Sequence, residues 1–186
     1  MIKLNKISLS GLAGSGKSSV GKLLAKKLNY EFVSVGNYSR QLAVDKFGMS
    51  INQFQDYCKN NPEMDKKIDQ YFNYNCESKS NLIIDYRLAF HFLNDCFHVF
   101  LTVSDDIAIK RITQSNDREL ELNGCSDIHQ QIKTRNENMR LRFEEIYNVD
   151  FTNHKNYKLI INTDNRSLEE VAQLIYKNFE LCTSLK

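Results

Sequence analysis

Short apolar runs alternate along the chain with longer segments in which apolar residues recur every three or four positions. The runs predict strands, and the segments between them predict helices. Because strands alternate with helices and no tight hairpin signal occurs, the pattern favours a parallel sheet covered by helices on both faces. The five predicted strands cover residues 6–10, 31–35, 82–85, 98–103 and 158–161. The predicted helices begin near Gly16, Asn37, Ser50, Pro62, Asp105, Asp127 and Leu168.

Several of these helix starts carry capping residues. Ser50 is followed by Gln53, and Ser167 by Glu170, at the spacing of a capping box. In that motif the serine side chain accepts a hydrogen bond from a backbone amide that lacks a helical partner. The Asn61-Pro62 pair fits an N-cap followed by proline at the first helical position.

Length, composition and charge narrow the class of protein. The chain has 186 residues, of which 41% are hydrophobic and 26% charged, as in an ordinary globular domain. A single proline and the lack of a Gly/Ser-rich linker predict one domain over residues 1–186. The net charge of +2 gives no reason to expect a nucleic acid or an anionic membrane as partner. No apolar run is long enough to span a bilayer.

The cysteines and histidines indicate a reducing compartment and no zinc site. Five scattered cysteines form no CxxC pair, and four histidines show no metal-ligand spacing. The first ten residues contain neither a hydrophobic signal core nor a small-residue cleavage site. We therefore expect a cytoplasmic protein, and we take a monomer as its expected state.

A glycine-rich stretch, GLAGSGKS, follows the first predicted strand and matches the pattern GxxxxGK[ST]. Glycines allow backbone amides to approach phosphate oxygens, and the following helix adds the positive end of its dipole. Lys17 would reach the β- and γ-phosphates, and the Ser18 hydroxyl lies where a Mg²⁺ ligand is needed. The stretch therefore predicts a nucleoside-triphosphate site. Its predicted residues are Gly11, Gly14, Ser15, Gly16, Lys17, Ser18 and Ser19.

Two arginines lie on the apolar side of a predicted helix that contains QQIKTRNENMRLRFEEIY. Arg135 and Arg142 share one helical stripe with apolar residues. A guanidinium on an apolar stripe is costly unless it meets an anion. The anion could belong to a ligand or to a buried carboxylate, and the side chains could also extend to water. Arg140 lies off the stripe and is expected to face solvent. The apolar members are Ile128, Ile132, Met139 and Ile146.

Asp85 and Arg87 end the third predicted strand, at the sheet edge where α/β proteins bind ligands. Asp85 could hold the hydration shell of Mg²⁺, or it could cap a helix or pair with Arg87. Arg87 could contact an anionic ligand. Arg40, after the second strand and near the start of a helix, is a weaker candidate for the same role.

With these residues assembled, the chain resembles the nucleoside monophosphate kinases and, within them, the short archaeal-type cytidylate kinases. The resemblance covers nearly the whole chain. NPEMDKKID and DYRLA are its more specific motifs. The matching segments are the phosphate loop, FVSVG…R at 32–40, GMS at 48–50, NPEMDKKID at 61–69, DYRLA at 85–89, Arg111-Ile112, Arg135 with Arg142, YNVD at 147–150, and INT…S-EEV at 161–171.

The resemblance implies a P-loop NTPase fold and transfer of phosphate from ATP, with Mg²⁺, to a nucleoside monophosphate such as CMP or dCMP. It implies a helical acceptor-binding insertion over about residues 37–80 and a short lid over about 116–126. By similarity, Arg111 lies against adenine, with Asn162 and Thr163 near the base. Arg135 would steady the transferred phosphoryl group. Asp69 and the arginines Arg40, Arg87 and Arg142 would bind the acceptor.

The chain departs from the family's pattern at three positions. Tyr86 replaces a glycine at the strand end, Met139 replaces an acid near the acceptor's sugar, and Ser115 replaces a second arginine at the lid, where Arg118 could substitute. Two alternatives therefore stay open. One is a P-loop kinase with a different small-molecule acceptor. The other is a nucleotide-binding regulator without transfer activity.

Overall fold

Five parallel strands form the central sheet in the computed structural model, which describes residues 4–114 and 128–184. The strand order is β2-β3-β1-β4-β5, so the first strand lies in the middle. All four strand pairings are parallel, which confirms the predicted sheet. The strands are β1 (Lys6–Gly11), β2 (Glu31–Ser34), β3 (Leu82–Asp85), β4 (Cys96–Thr102) and β5 (Leu159–Asn162).

Eight α-helices lie in the described parts of the chain, together with a 3-10 turn at His154–Asn156. The predicted lid, about residues 116–126, falls outside the described residues, as do Ser115 and Arg118. Within the described ranges no helix is both long and apolar enough to cross a membrane. The helices are α1 (Lys17–Leu28), α2 (Val35–Phe47), α3 (Ile51–Asn60), α4 (Pro62–Glu77), α5 (Ala89–Phe92), α6 (Asp105–Thr113), α7 (Ile128–Tyr147) and α8 (Leu168–Ser184).

The capping residues explain where several helices begin. Both predicted capping boxes form, at Ser50 and at Ser167. Asn61 is the N-cap of α4 with proline next, but its side chain donates to the carbonyl of Tyr57 instead of capping. The prediction that β2 reaches residue 35 is wrong. Ser34 accepts a hydrogen bond from the amide of Asn37, so α2 begins at once.

The two faces of the sheet bury different clusters. Ile83 belongs to the cluster that packs under α1 and α8, whereas its neighbours Leu82 and Ile84 belong to the cluster under α4, α5 and α7. This alternation follows from the two-residue period of a strand. On β1 the second face carries Ser8 and Ser10, and each is hydrogen-bonded, to His98 and to Tyr157. The polar atoms of that face are therefore satisfied inside the protein.

The helices α2, α3 and α4 form an insertion between β2 and β3 with a small core of its own. Ala43, Phe54, Cys58 and Ile68 are buried there. The insertion begins directly after β2 ends, so its first helix starts at the carboxyl edge of the sheet. One wall of the cleft described next therefore comes from the insertion, and the other from α7.

Candidate functional site

The glycine-rich loop connects the end of β1 to the start of α1 and has a backbone that only glycine tolerates. Gly14 has φ of +78°, and a Cβ there would lie 2.7 Å from the Cα of Ala108. A Cβ on Gly11 would lie 2.3 Å from the carbonyl oxygen of Leu101. The loop therefore packs closely against β4 and α6, and its amides remain free of side-chain obstruction.

Lys17 lies inside this loop instead of extending into solvent. Its ammonium donates to the carbonyls of Gly11 at 2.9 Å and Leu12 at 2.8 Å, and to the Ser15 hydroxyl at 3.3 Å. Only 9% of the residue is exposed. The positive charge is thus fixed at the centre of the loop, where an anion held by the loop amides would meet it.

Ser18 and Asp85 form the oxygen pair expected to hold Mg²⁺. Parallel pairing places Leu9 of β1 opposite Asp85 at the end of β3. The Ser18 hydroxyl donates to Asp85 Oδ2 at 2.5 Å. A hydroxyl and a buried carboxylate are oxygen donors of the type that Mg²⁺ prefers, and the ion usually takes only one or two protein oxygens beside phosphate and water. The residues present therefore fit that ion.

Arg111 joins the phosphate loop to the loop after β5. Its guanidinium donates to the hydroxyl of Thr163 at 2.9 Å, to the carbonyl of Thr163 at 2.6 Å and to the carbonyl of Gly14 at 3.5 Å. Thr163 is 2% exposed, so it holds the arginine from inside. Asn162 binds Asp164 through both ends of its amide and shapes the same loop.

A cavity of about 1000 Å³ opens between α7 and the helices α3 and α4, and Ala13 of the phosphate loop forms part of its wall. Both arginines of the α7 stripe, Arg135 and Arg142, line it, together with Met139. The cavity is therefore in contact with the loop, and both arginines of the stripe are brought to it. Neither Arg40 nor Arg87 lines it.

Arg142 also meets an internal acid. Its Nη1 lies 3.4 Å from Oδ2 of Asp65, a buried residue of α4 that lines the same cavity. Arg142 thus lines the cavity, where it can contact a ligand, and it also pairs with a buried carboxylate. Arg140 lies off the stripe and forms ion pairs with Glu137 and Glu144 on its own helix.

Arg87 and Arg40 occupy different surroundings. Arg87 donates from Nε to the carbonyl of Gly11 at 3.2 Å, so it shares an acceptor with Lys17. Its guanidinium lies 5.7 Å from the ring centre of Phe151. Arg40 donates to the side chain of Asn37 at 3.3 Å on an exposed part of α2. The structure brings Arg87 to the phosphate loop and leaves Arg40 at the insertion surface.

Asp69 receives two tyrosine hydroxyls that sequence reasoning did not connect to it. Tyr86 donates to Oδ1 at 2.8 Å, and Tyr147 to Oδ2 at 2.6 Å. Burial raises the pKa of Asp69, while the two hydroxyls lower it. Tyr86, which stands where the family has glycine, is 2% exposed and packs on Phe72. That departure was the available signal, because a large polar side chain at a buried strand end needs an acceptor.

Asn136 is a second contact that the sequence did not reveal. Its side-chain oxygen accepts the backbone N–H of Ala13 at 3.1 Å. Asn136 directly follows Arg135 on α7, so the helix that carries the cavity arginines also holds the phosphate loop. The spacing of the stripe points only to its apolar and arginine members, and it gave no signal for this residue.

Comparison with known proteins agrees with this architecture. A family model described as the cytidylate kinase-like family matches residues 6–165. A cytidylate kinase of Methanosphaera stadtmanae is 32% identical over 94% of this chain and 97% of its own length. An S-adenosylmethionine-dependent nucleotide dehydratase of Lacinutrix mariniflava is 54% identical over 94% of this chain. The chain spans only 36% of that relative's length.

Among solved structures, a shikimate kinase from Bacteroides thetaiotaomicron superposes with a TM-score of 0.66. The match covers 94% of this chain and 98% of that enzyme at 19% sequence identity. At that identity the likeness concerns the fold alone, and the fold is that of the P-loop NTPases.

Proposed function

The chain belongs to the cytidylate kinase-like family, and we propose that it transfers the terminal phosphoryl group of ATP to a pyrimidine nucleoside monophosphate, CMP or dCMP first. One observation carries the proposal. Arg135 and Arg142 line a cavity whose wall includes Ala13 of the phosphate loop. Two guanidinium groups beside the loop suit an anionic acceptor, because their planar forks match the oxygens of a phosphate.

The donor nucleotide is assigned to the loop and to the residues around Arg111. Lys17 faces the phosphates from the centre of the loop, where hydrogen bonds to Gly11, Leu12 and Ser15 hold it. Arg111 lies against the base, and Thr163 fixes its guanidinium. The remaining donor-side residues are Gly11, Gly14, Ser15, Gly16, Ser18, Ser19 and Asn162.

Ser18 and Asp85 would hold Mg²⁺, which neutralises charge on the donor phosphates when it is bound. Their 2.5 Å contact supports this assignment, because both oxygens lie close enough to serve one ion or its water shell. Asp85 is thus assigned to the ATP side of the cleft, and the arginines described next are assigned to the acceptor.

On the acceptor side, Arg142 and Arg87 would hold the monophosphate, with Arg40 approaching from the insertion. Arg135 would meet the phosphoryl group in transfer. Such a reaction needs no covalent intermediate, because the protein positions the groups in line and stabilises charge on the equatorial oxygens.

A second candidate keeps the chemistry and changes the acceptor. Met139 lines the cavity, and its thioether is a much weaker acceptor for a sugar hydroxyl than an acid would be. In addition, the relative at 54% identity is named a nucleotide dehydratase, although this chain spans only 36% of its length. Both observations favour an acceptor other than CMP or dCMP.

The test is a coupled assay of ADP formation across CMP, dCMP, UMP, AMP and small hydroxylated metabolites. Acceleration by CMP or dCMP above the others supports the first candidate. Acceleration by another monophosphate, or by a hydroxylated metabolite alone, selects the second. If ATP binds tightly and no acceptor yields ADP, the protein is a nucleotide-binding regulator and the transfer proposal fails.

A further inference from the structure

Helix α4 presents two buried carboxylates on one face. Asp65 and Asp69 are 9% and 8% exposed, and they are four residues apart, so they lie on the same side of the helix. A buried carboxylate is costly unless it is paired or hydrogen-bonded. The side chains that contact Asp65 and Asp69 therefore indicate the role of the two carboxylates.

The partners of Asp69 come from the two elements that carry acceptor arginines. Tyr86 directly precedes Arg87 at the end of β3, and Tyr147 ends α7, which contains Arg142. One carboxylate oxygen accepts from each hydroxyl, at 2.8 and 2.6 Å. Asp69 thus ties both arginine-bearing elements to α4.

Asp65, which lies one turn earlier on α4, adds a contact to α7. Its Oδ2 lies 3.4 Å from Nη1 of Arg142. Neither Asp65 Oδ2 nor Arg142 Nε has a hydrogen-bond partner among the described residues. The pair is therefore held by charge, whereas Asp69 supplies the short, directional bonds of this face.

Ring packing fixes the direction of both hydroxyls. The Tyr86 ring lies 5.2 Å from the ring of Phe72 on α4 and stacks on Phe92 at 6.3 Å. The Tyr147 ring meets Phe92 edge-on at 5.3 Å. A phenylalanine at either tyrosine position would keep these contacts and lose only the hydroxyl.

We propose that Asp69 is a positioning residue that, through Tyr86 and Tyr147, sets the spacing between Arg87 and Arg142 and does not itself touch the acceptor. Its kinetic consequences rest on the proposed function. A direct contact with the acceptor would have to share carboxylate oxygens that each already accept a tyrosine hydroxyl. A positioning role uses those hydroxyls.

The two roles predict opposite results for the variants Tyr86→Phe and Tyr147→Phe. If Asp69 positions the arginines, each variant raises the acceptor KM by about tenfold, the size expected for losing a hydrogen bond to a charged group. The KM for ATP stays unchanged. In the double variant of Tyr147→Phe with Asp69→Asn, the losses are not additive, because both changes break one contact.

If Asp69 binds the acceptor directly, Asp69→Asn raises the acceptor KM while the tyrosine variants leave it unchanged or lower it. That result would overturn the proposal. The control is Ile68→Val, a buried change on the same helix that faces the insertion core. It destabilises the fold without touching the carboxylate, so its acceptor KM should equal that of the wild type.

Crystal structures of the wild type and of Asp69→Asn give a readout independent of turnover. A displacement of the Arg87 and Arg142 guanidinium groups relative to Lys17 supports the proposal, and unmoved arginines refute it. If the wild type transfers phosphate to no monophosphate, the proposed function fails, and this comparison still decides the positioning role.

Discussion

Ser18 and Asp85 lie on different elements, α1 and the end of β3, and meet through a 2.5 Å hydrogen bond from the serine hydroxyl to the carboxylate. Parallel pairing of β1 with β3 brings them together, since the loop that leaves β1 leads directly into α1. The two oxygens expected to serve Mg²⁺ are thus positioned by the sheet itself.

Replacing Asp85 by asparagine should lower kcat by about 100-fold. The variant keeps the shape of the side chain but loses the negative charge that attracts the metal. The Mg²⁺ concentration needed for half-maximal turnover should rise as well. Both quantities come from initial rates over a Mg²⁺ titration. Asp106→Asn, an exposed change on α6, serves as the control. Equal Mg²⁺ dependence in the two variants would exclude the metal role.

Replacing Lys17 by alanine should reduce phosphoryl transfer by about a thousandfold or more, since the ammonium meets charge that is greatest in the transition state. The fold should persist, because the hydrogen bonds of Lys17 described above are made within its own loop. Rates and thermal unfolding measure the two effects. Lys22→Ala, on the exposed side of α1, should match the wild type in both. An unchanged transfer rate in the Lys17 variant contradicts the loop assignment.

Replacing Arg111 by lysine should weaken ATP binding by about tenfold and leave the acceptor KM unchanged. Lysine keeps the charge but cannot bind the hydroxyl and the carbonyl of Thr163 together, as the guanidinium does. Calorimetric titration with a non-hydrolysable ATP analogue measures the loss. Lys110→Ala, on the exposed side of α6, is the control. A rise in acceptor KM alone would place Arg111 on the acceptor side of the cleft and contradict its assignment to ATP.

The free energy of unfolding should fall as pH drops from 6.5 towards 4, because of His98. Burial lowers the pKa of His98 to about 4 from its ordinary 6.5, and Ser8 is hydrogen-bonded to its ring. In that window the unfolded chain binds the proton and the folded chain does not, so acid favours unfolding. The loss should be about 1–2 kcal/mol between pH 6.5 and pH 5.

Urea denaturation of the wild type and of His98→Gln at several pH values tests this effect. The raised pKa values of Asp65 and Asp69 act in the opposite direction, since those carboxyl groups bind protons more readily when folded. Only the difference between the two proteins isolates the histidine. If both lose stability equally on acidification, His98 is not the cause.

The parts of the fold and site that local patterns specify could be predicted from the sequence. Strand alternation gave the parallel sheet, and the glycine spacing gave the loop around Lys17. The position of Asp85 at a strand end placed it beside that loop. These features depend on neighbours in sequence or on the general geometry of parallel sheets, so one chain suffices to predict them.

Contacts between distant residues could not be predicted in this way. Asp69 is separated from Tyr86 by 17 positions and from Tyr147 by 78, and no spacing rule connects them. The early start of α2 depended on the Ser34 cap, which competes with strand propensity in the same residues. The four-residue α5 is too short to produce a helical period.

The hydrogen bond between the Ala13 amide and Asn136 joins the phosphate loop to helix α7. One end belongs to the loop assigned to ATP and the other to the helix assigned to the acceptor. If ATP strengthens or strains this bond, the acceptor's affinity changes by some factor, and thermodynamic reciprocity requires the acceptor to change the affinity for ATP by the same factor. Ala13 also packs with Ile132 of α7, so the loop and this helix would respond together to either ligand.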